Sequence, residues 1–469
     1  MTRRQRARAA IPAVTTLALF TAISAGAHRP AVAADARAEG LDTTLVTRSR
    51  TGGLPDGPSS QPAISRDQRY ARVLAFSSAA SDLVAASTGA VSNVYYIERQ
   101  PPYDNLGVPW VPGPIQLVSA GPGGAPANGP SADPVVSGDN RHAPSCIAFI
   151  SAATNLVAGD TNGHPDAFVF HLRSRTIERV SVGRGGREAD GSAHDVTVNG
   201  DCSEVAFTDD ASNLVAGAPA GVKQVYVRDL RHHRTTIASG GRHGAGDADS
   251  SQPAFGRRNT LAFSSAATNL AGPTGGHVQV FLRSRPRAVS MLSRTPSGVP
   301  GDGDSDQPAL SQAGDGVAFR TRAANLAPGA DRFSQIVHSR RGTSLRTAGP
   351  ASSGDAAHPE VVNNGHYTLY DSADPRLGSP FGQAGAAYLY TDVRNLVLPI
   401  SVDSNGQRLR LPGSDPASSE VSNYIFFETS DPAADTHFAQ AHGTALVPPQ
   451  LAAANPAFHQ IYLRYLGGK

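Results

Sequence analysis

The sequence predicts an all-β fold: a seven-bladed β-propeller of four-stranded antiparallel blades, closed by an N-terminal strand that completes the last blade. Three observations carry this expectation. First, the stretch Leu261-Ala262-Phe263-Ser264-Ser265, a short strand running into a turn at Asn269-Leu270, recurs along the chain. Four close copies and two weaker ones place an aromatic residue at 76, 149, 207, 263, 319, 370 and 427. The gaps between them run from 51 to 73 residues, a period that marks a repeat architecture. Second, each copy has the same companions in the same order: a strand opened by proline before it, an aromatic and β-branched strand after it, then a strand beyond a charged turn. Third, the repeated strand is apolar on both faces, which a sheet stacked between two others requires. Four antiparallel strands per unit, repeated radially, make a propeller.

Taken in order, residues 1–33 are a signal peptide. Thr2 to Arg8 is a basic leader, Ile11 to Ala27 an apolar run, and Ala31-Val32-Ala33 a cleavage site. The apolar run is too short and too polar to stay as a membrane span. Residues 34–40 are a short lead-in, and 41–469 form the propeller as one domain. Thr43 to Arg48 resembles the fourth strand Thr235 to Ser239, while the last unit ends at Leu466–Lys469 without a fourth strand. The N-terminal strand is therefore expected to pair with Gln460–Leu463 and remove two free edges.

The first strands are read as starting at Pro62, Pro134, Pro253, Pro308, Pro359 and Pro416, with Asp195 in that place in the third blade. Proline at the first residue of a strand costs no ladder hydrogen bond. An insertion at Arg99–Gly113 carries Tyr103 and Trp110, the only tryptophan. These aromatics are expected to pack back on their own blade; the alternative is an exposed loop that contacts a partner.

The repeats resemble the TolB-type, WD40-like propeller repeat of exported bacterial proteins. Pro62-Ala63-Ile64-Ser65-Arg66-Asp67 and Pro308-Ala309-Leu310-Ser311 match the first half of that pattern, and the following Ala-Phe strand matches the second. The turn between them departs from it, with Asp139-Asn140 or Asn363-Asn364-Gly365 in place of Ser-Pro-Asp-Gly. The resemblance covers nearly all of 43–466. It implies the fold and an extracytoplasmic setting, but no specific activity, because this fold hosts many functions.

Composition excludes some classes of function. Net charge is +2, with charged residues at 17%, so there is no electrostatic footprint for nucleic acid. No phosphate loop, Gly-x-Ser-x-Gly elbow or paired zinc-ligand motif is present. A single tryptophan leaves no room for repeated Asp-box turns.

The residues just before the first strands are all polar: Gln61, Asp133, His194, Gln252, Gln307, His358 and Asp415. In a closed ring they crowd the mouth of the axial channel, where they are the candidate binding residues. Asp133, His194, His358 and Asp415 are the candidates if the chain is an enzyme. Asp160, Asn162 and Asp166 have the spacing of a calcium-loop fragment, so calcium is a weak cofactor candidate beside an ordinary turn. Asn155, Asn213, Asn269 and Asn325 are read as turn residues bonding nearby backbone. Cys146 and Cys202, the only cysteines, lie near turns in neighbouring blades, and a disulfide is expected between them. The functional expectation is an exported, monomeric, non-enzymatic binding or scaffold propeller that engages an envelope or extracellular protein or a glycan. The alternative is a lyase- or lactonase-like enzyme working at the channel mouth.

Overall fold

The computed structural model describes residues 31–32 and 42–466, apart from 69, 87, 90, 104–108, 243, 286–287, 313–315, 341–343, 351–352, 378–385, 412 and 438–457. The segments expected to be a signal peptide and lead-in lie outside the described residues, except that Ala31–Val32 runs parallel to the outer strand Leu396–Pro399 of the sixth sheet.

Seven antiparallel sheets follow one another along the chain. Blade 1 comprises Ser59–Ile64, Val73–Ser78, Asn93–Arg99 and Pro112–Leu117. The first strands of blades 2 to 7 are Ser131–Val136, Ala193–Val198, Ser250–Phe255, Ser305–Leu310, Ala356–Val362 and Gly413–Ser418. Each first strand packs beside the next, and Gly413–Ser418 returns to Ser59–Ile64, so the blades form a ring. In blade 7, Asp42–Leu45 lies antiparallel to Gln460–Tyr465 with Leu45 opposite Tyr462. Val46 N–H donates to the Ile461 carbonyl at 2.9 Å, which extends that pairing.

The repeated strand is buried along its whole length in blades 1, 2 and 4, as a sandwiched strand must be. Its aromatic faces a second ring across the ladder in six blades: Phe76–Tyr95, Phe149–Phe168, Phe207–Tyr226, Phe263–Phe281, Tyr370–Tyr388 and Phe427–Tyr462. Their centroids are 5.6–6.1 Å apart. In blade 5 the partner of Phe319 is Val337. Each pair fills the seam toward the preceding blade.

The prolines do not open their strands. Pro62 is the fourth residue of Ser59–Ile64, and the ladder shifts register between Ser60 and Ala63. All seven first strands carry this shift. It is a β-bulge, where proline's missing N–H costs nothing. The strands begin earlier because a buried serine there bonds the hydroxyl at the end of the second strand, as Ser131 does Ser151 at 2.8 Å and Ser250 does Ser265 at 2.8 Å.

Trp110 is 5% exposed and does not pack on its own blade alone. Its Nε1–H donates to the Ala71 carbonyl at 2.8 Å, while its ring meets the edge of Phe426 of blade 7 at 5.2 Å. Arg99 reaches the same neighbour, donating to the Tyr424 hydroxyl at 2.8 Å with its guanidinium 4.7 Å from that ring. The insertion therefore seals the seam where the last blade meets the first.

Candidate functional site at the axial channel

The bulge fixes what the seven polar residues do. The residue before each proline takes a left-handed backbone: Gln61, Asp133, Gln252, Gln307, His358 and Asp415 have φ between 48° and 56°. This conformation turns each N–H toward the preceding blade. Asp133 N–H donates to Gln61 Oε1 at 3.0 Å, Gln307 N–H to Gln252 Oε1 at 2.9 Å, and His358 N–H to Gln307 Oε1 at 3.0 Å. Three further steps use carboxylates: Gln252 to Asp195 at 2.9 Å, Asp415 to Asp371 at 3.1 Å, and Gln61 to Glu428 at 3.2 Å. Six of the seven seams are thus joined by a hydrogen bond from a backbone N–H to a side chain around the channel mouth.

Blade 3 differs. His194 precedes Asp195 rather than a proline, and it is Asp195 that takes part in the belt. The acceptors are held from behind by the residue that follows the repeated aromatic. Ser77 Oγ–H donates to Gln61 Oε1 at 2.8 Å, Thr208 to Asp195 at 3.1 Å, and Ser264 to Gln252 at 3.0 Å. Asp371 and Glu428 occupy this same position in blades 6 and 7. These supporting residues carry no separate sign in the sequence, because each looks like part of an ordinary strand.

Charge around the mouth is uneven. Gln252 and Gln307 are neutral, whereas blades 6 and 7 place Asp371, Asp415 and Glu428 together. His358 Nδ1–H donates to Asp371 at 2.7 Å, and that carboxylate pushes His358 up to about 9. Burial, reinforced by Glu428, pushes Asp415 up to about 7. Burial also raises Asp133, with Asp195 adding to the effect. At the far end of the channel Arg66 crosses from blade 1, donating to Glu360 at 2.6 Å and to the Leu310 carbonyl at 3.2 Å. The space between measures about 630 Å³. Among the described residues no three His, Cys, Asp or Glu side chains converge in a way that could hold a metal ion. Among the described residues no hydrogen bond or ion pair joins Asp133, His194, His358 and Asp415 side chain to side chain, although His358 and Asp415 act on each other electrostatically.

The loops on the mouth face are clamped. Asn155, Asn213, Asn269 and Asn325 each donate through Nδ2 to a backbone carbonyl of the hairpin that leads into their own blade, at 2.8–2.9 Å. Each also accepts an N–H from that hairpin, at 3.0–3.2 Å. Asn128, Asp190, Asp247 and Asp302 of the hairpins answer by accepting N–H groups from the asparagine loops. The asparagines are turn residues, as expected, but they work across two loops.

Asp160 and Asp166 face Arg179, at 3.3 and 3.2 Å, and Glu188 joins them at 2.7 Å from the same guanidinium. Asn162 donates to Asp166 at 3.2 Å and to the Ala189 carbonyl at 3.2 Å. The charge of this segment is thus met by an arginine from its own blade. Cys146 and Cys202 form a disulfide across blades 2 and 3, with Cα atoms 6.1 Å apart.

No protein-family model matches the chain, and no curated protein is similar to it at a significant level. Solved structures are. TolB from Acinetobacter baumannii is 13% identical, aligns over 74% of this chain and 64% of its own, and gives a TM-score of 0.37; this chain thus spans less than two thirds of that protein. An oligogalacturonate lyase in complex with manganese is 11% identical over 91% of this chain and 96% of its own, at a TM-score of 0.52. Porphyromonas gingivalis dipeptidyl peptidase 4 is 11% identical over 78% and 50%, at 0.41. The chain is a seven-bladed propeller in architecture. At these identities the likeness shows the fold alone.

Proposed function

We propose that this is an exported binding or scaffold propeller that engages a protein or glycan of the cell envelope through its mouth face. The observation that carries the reading is the set of reciprocal asparagine clamps in blades 2 to 5. Loops fixed before a partner arrives lose little entropy on binding. The belt supports the same reading, because side chains that could serve chemistry are engaged in joining blades. Export fits the disulfide, which persists in oxidising compartments. No helix among the described residues is long and apolar enough to cross a membrane.

The test is capture from an envelope extract by the purified chain, beside a variant carrying Asn213→Ala and Asn269→Ala. The reading expects a specific partner that is retained by the parent and weakened in the variant, with the melting transition preserved. Capture of nothing above background, or equal capture by both, would count against it.

One observation favours the enzyme alternative: His358 paired with Asp371 beside Asp415. A histidine held near 9 is protonated at neutral pH, so it could serve as an acid but not as a base. Turnover of a lactone or an acidic glycan that vanished in His358→Ala would establish that alternative.

A further inference from the structure

We propose that the cavity between blades 4 and 5 binds an acidic sugar, a saccharide unit bearing a phosphate, sulfate or carboxylate group. The cavity measures about 840 Å³, larger than the axial one, and lies in the seam built from the Gln279–Arg285 and Ala288–Met291 strands on one side and Gly316–Thr321 and Gln335–Arg340 on the other.

Its origin is legible in the ladder register. Two third-strand positions face each seam. Blades 1, 2, 3, 4, 6 and 7 fill them with Tyr95 and Ile97, Phe168 and Phe170, Tyr226 and Arg228, Phe281 and Arg283, Tyr388 and Tyr390, and Tyr462 and Arg464. Blade 5 has Val337 and Ser339 there. The buried core of this seam shrinks to Val280, Phe319, Ala327, Ala330 and Val337, and Leu292, Val317 and Leu345 are left half-buried at its margin. The space beside Ser339, where other blades place a larger side chain, is open here, while Val337 is fully buried in the remaining core.

The lining defines the ligand. Arg257, Arg258 and Arg294 border the cavity, and no Asp or Glu is among its described lining residues. None of the three arginines makes an ion pair among the described residues, in a chain whose 41 basic and 39 acidic residues are nearly balanced. Arg258 is exposed and has a left-handed backbone, φ 58°, in the turn between the first two strands of blade 4. Planar guanidinium forks match phosphate, sulfate and carboxylate oxygens. Thr260, Ser290, Thr295 and Ser297 offer hydroxyls for sugar hydroxyls, and Leu282 and Val317 offer an apolar surface for the carbon face of a ring. A second cavity of about 710 Å³ shares Ser290, Met291 and Arg294, adds Arg242, and again has no described carboxylate. The two together have room for more than one sugar unit.

This inference rests on the binding-propeller reading and gives it a ligand class at a second site. The test is calorimetry on the full chain with glucose 6-phosphate, glucuronate, glucose and inorganic phosphate. The variants are Arg258→Asn with Arg294→Gln, and separately Ser339→Phe, which fills the cavity and leaves every arginine in place. The two charged sugars should bind and glucose should not. Binding should weaken roughly tenfold or more in each variant and fall with added salt. If Ser339→Phe does not fold, the arginine variant decides alone, since its residues are exposed. No heat with either charged sugar would overturn the proposal, as would inorganic phosphate binding as tightly as glucose 6-phosphate, or unchanged binding in the variants. If partner capture from the envelope extract persists while both charged sugars fail, this site is wrong and the binding-propeller reading stands.

Discussion

Two seams of the ring have been altered in opposite directions. Between blades 7 and 1 the chain adds material: an insertion in blade 1 brings Trp110 against Phe426, and Arg99 onto Tyr424. Between blades 4 and 5 it removes material, replacing an aromatic by Val337 and a long side chain by Ser339. The first is the place where the two ends of the array meet: the chain enters blade 1 from Asp42–Leu45, which is held in blade 7 only by pairing with Gln460–Tyr465. The second lies in the middle of the chain, where neighbouring blades are covalently consecutive and a thin core can be tolerated. The comparison teaches that side-chain volume in this propeller goes beside the blade assembled from both chain ends, and that a seam between blades each built from one continuous run can give up volume for a cavity.

The sharpest way to break this comparison is to truncate its strong side. Trp110→Ala should cost about 3–5 kcal/mol in chemical denaturation, the usual penalty for emptying a buried aromatic site. A loss below about 1 kcal/mol would mean that the closing seam does not depend on the insertion. Next comes the seam between blades 2 and 3, which is stapled rather than padded. Replacing Cys146 and Cys202 by serine should cost about 2–4 kcal/mol, read as a shift of the denaturation midpoint that reductant no longer changes. On the weak side, Ser339→Leu adds apolar volume where the cavity is open, so it should leave stability within about 1 kcal/mol of the parent or raise it. The same substitution in a fully packed seam would cost more.

A control away from both seams uses pH. Asp415 is pushed from an ordinary 3.8 up to about 7, so the folded chain holds that proton more tightly than the unfolded chain. Stability should therefore fall as pH rises across that interval. His358, held up to about 9 by Asp371, contributes stability that is complete below its ordinary 6.5 and is lost as pH rises through 9. Both slopes have the same sign. Asp415→Asn tolerates the left-handed backbone and should raise stability at pH 8 on the order of 1 kcal/mol, with little change at pH 4. A gain at pH 4 of equal size would show that the carboxylate's charge is not the cause.

The blade count, the strand order and the disulfide were legible because a repeat writes the same instruction seven times. A closing strand was expected because Thr43 to Arg48 looks like a fourth strand with no third strand before it, and Asp42–Leu45 lies beside Gln460–Tyr465. The bulge was not legible. Proline announces a missing N–H but does not say whether a strand starts there or bends there, and Ser59 to Gln61 look like loop. For the same reason the ring residues could be named while their work could not: Gln61 and His358 face the channel, yet their acceptors and backbone N–H groups join neighbouring blades. His194 was misplaced by one residue, because without its proline blade 3 gives no marker, and Asp195 holds the position. The partner of Asp160 and Asp166 was hidden too, since Arg179 follows them on a later strand of the same blade. The cavity between blades 4 and 5 could have been seen by aligning Val337 and Ser339 with Tyr95 and Ile97, but only once the ladder register was known.

The account depends most on how the ring is held at its ends, and hydrogen–deuterium exchange across residues 42–47 and 460–465 tests this directly. Leu45 N–H donates to Asp435 Oδ2 at 2.9 Å and Val46 N–H to the Ile461 carbonyl at 2.9 Å, so both amides should be protected alongside Gln460–Tyr465 and lost together with them in denaturant. Residues 42–47 exchanging within seconds while 460–465 stay protected would contradict it, and the outer strand of blade 7 would have to come from elsewhere.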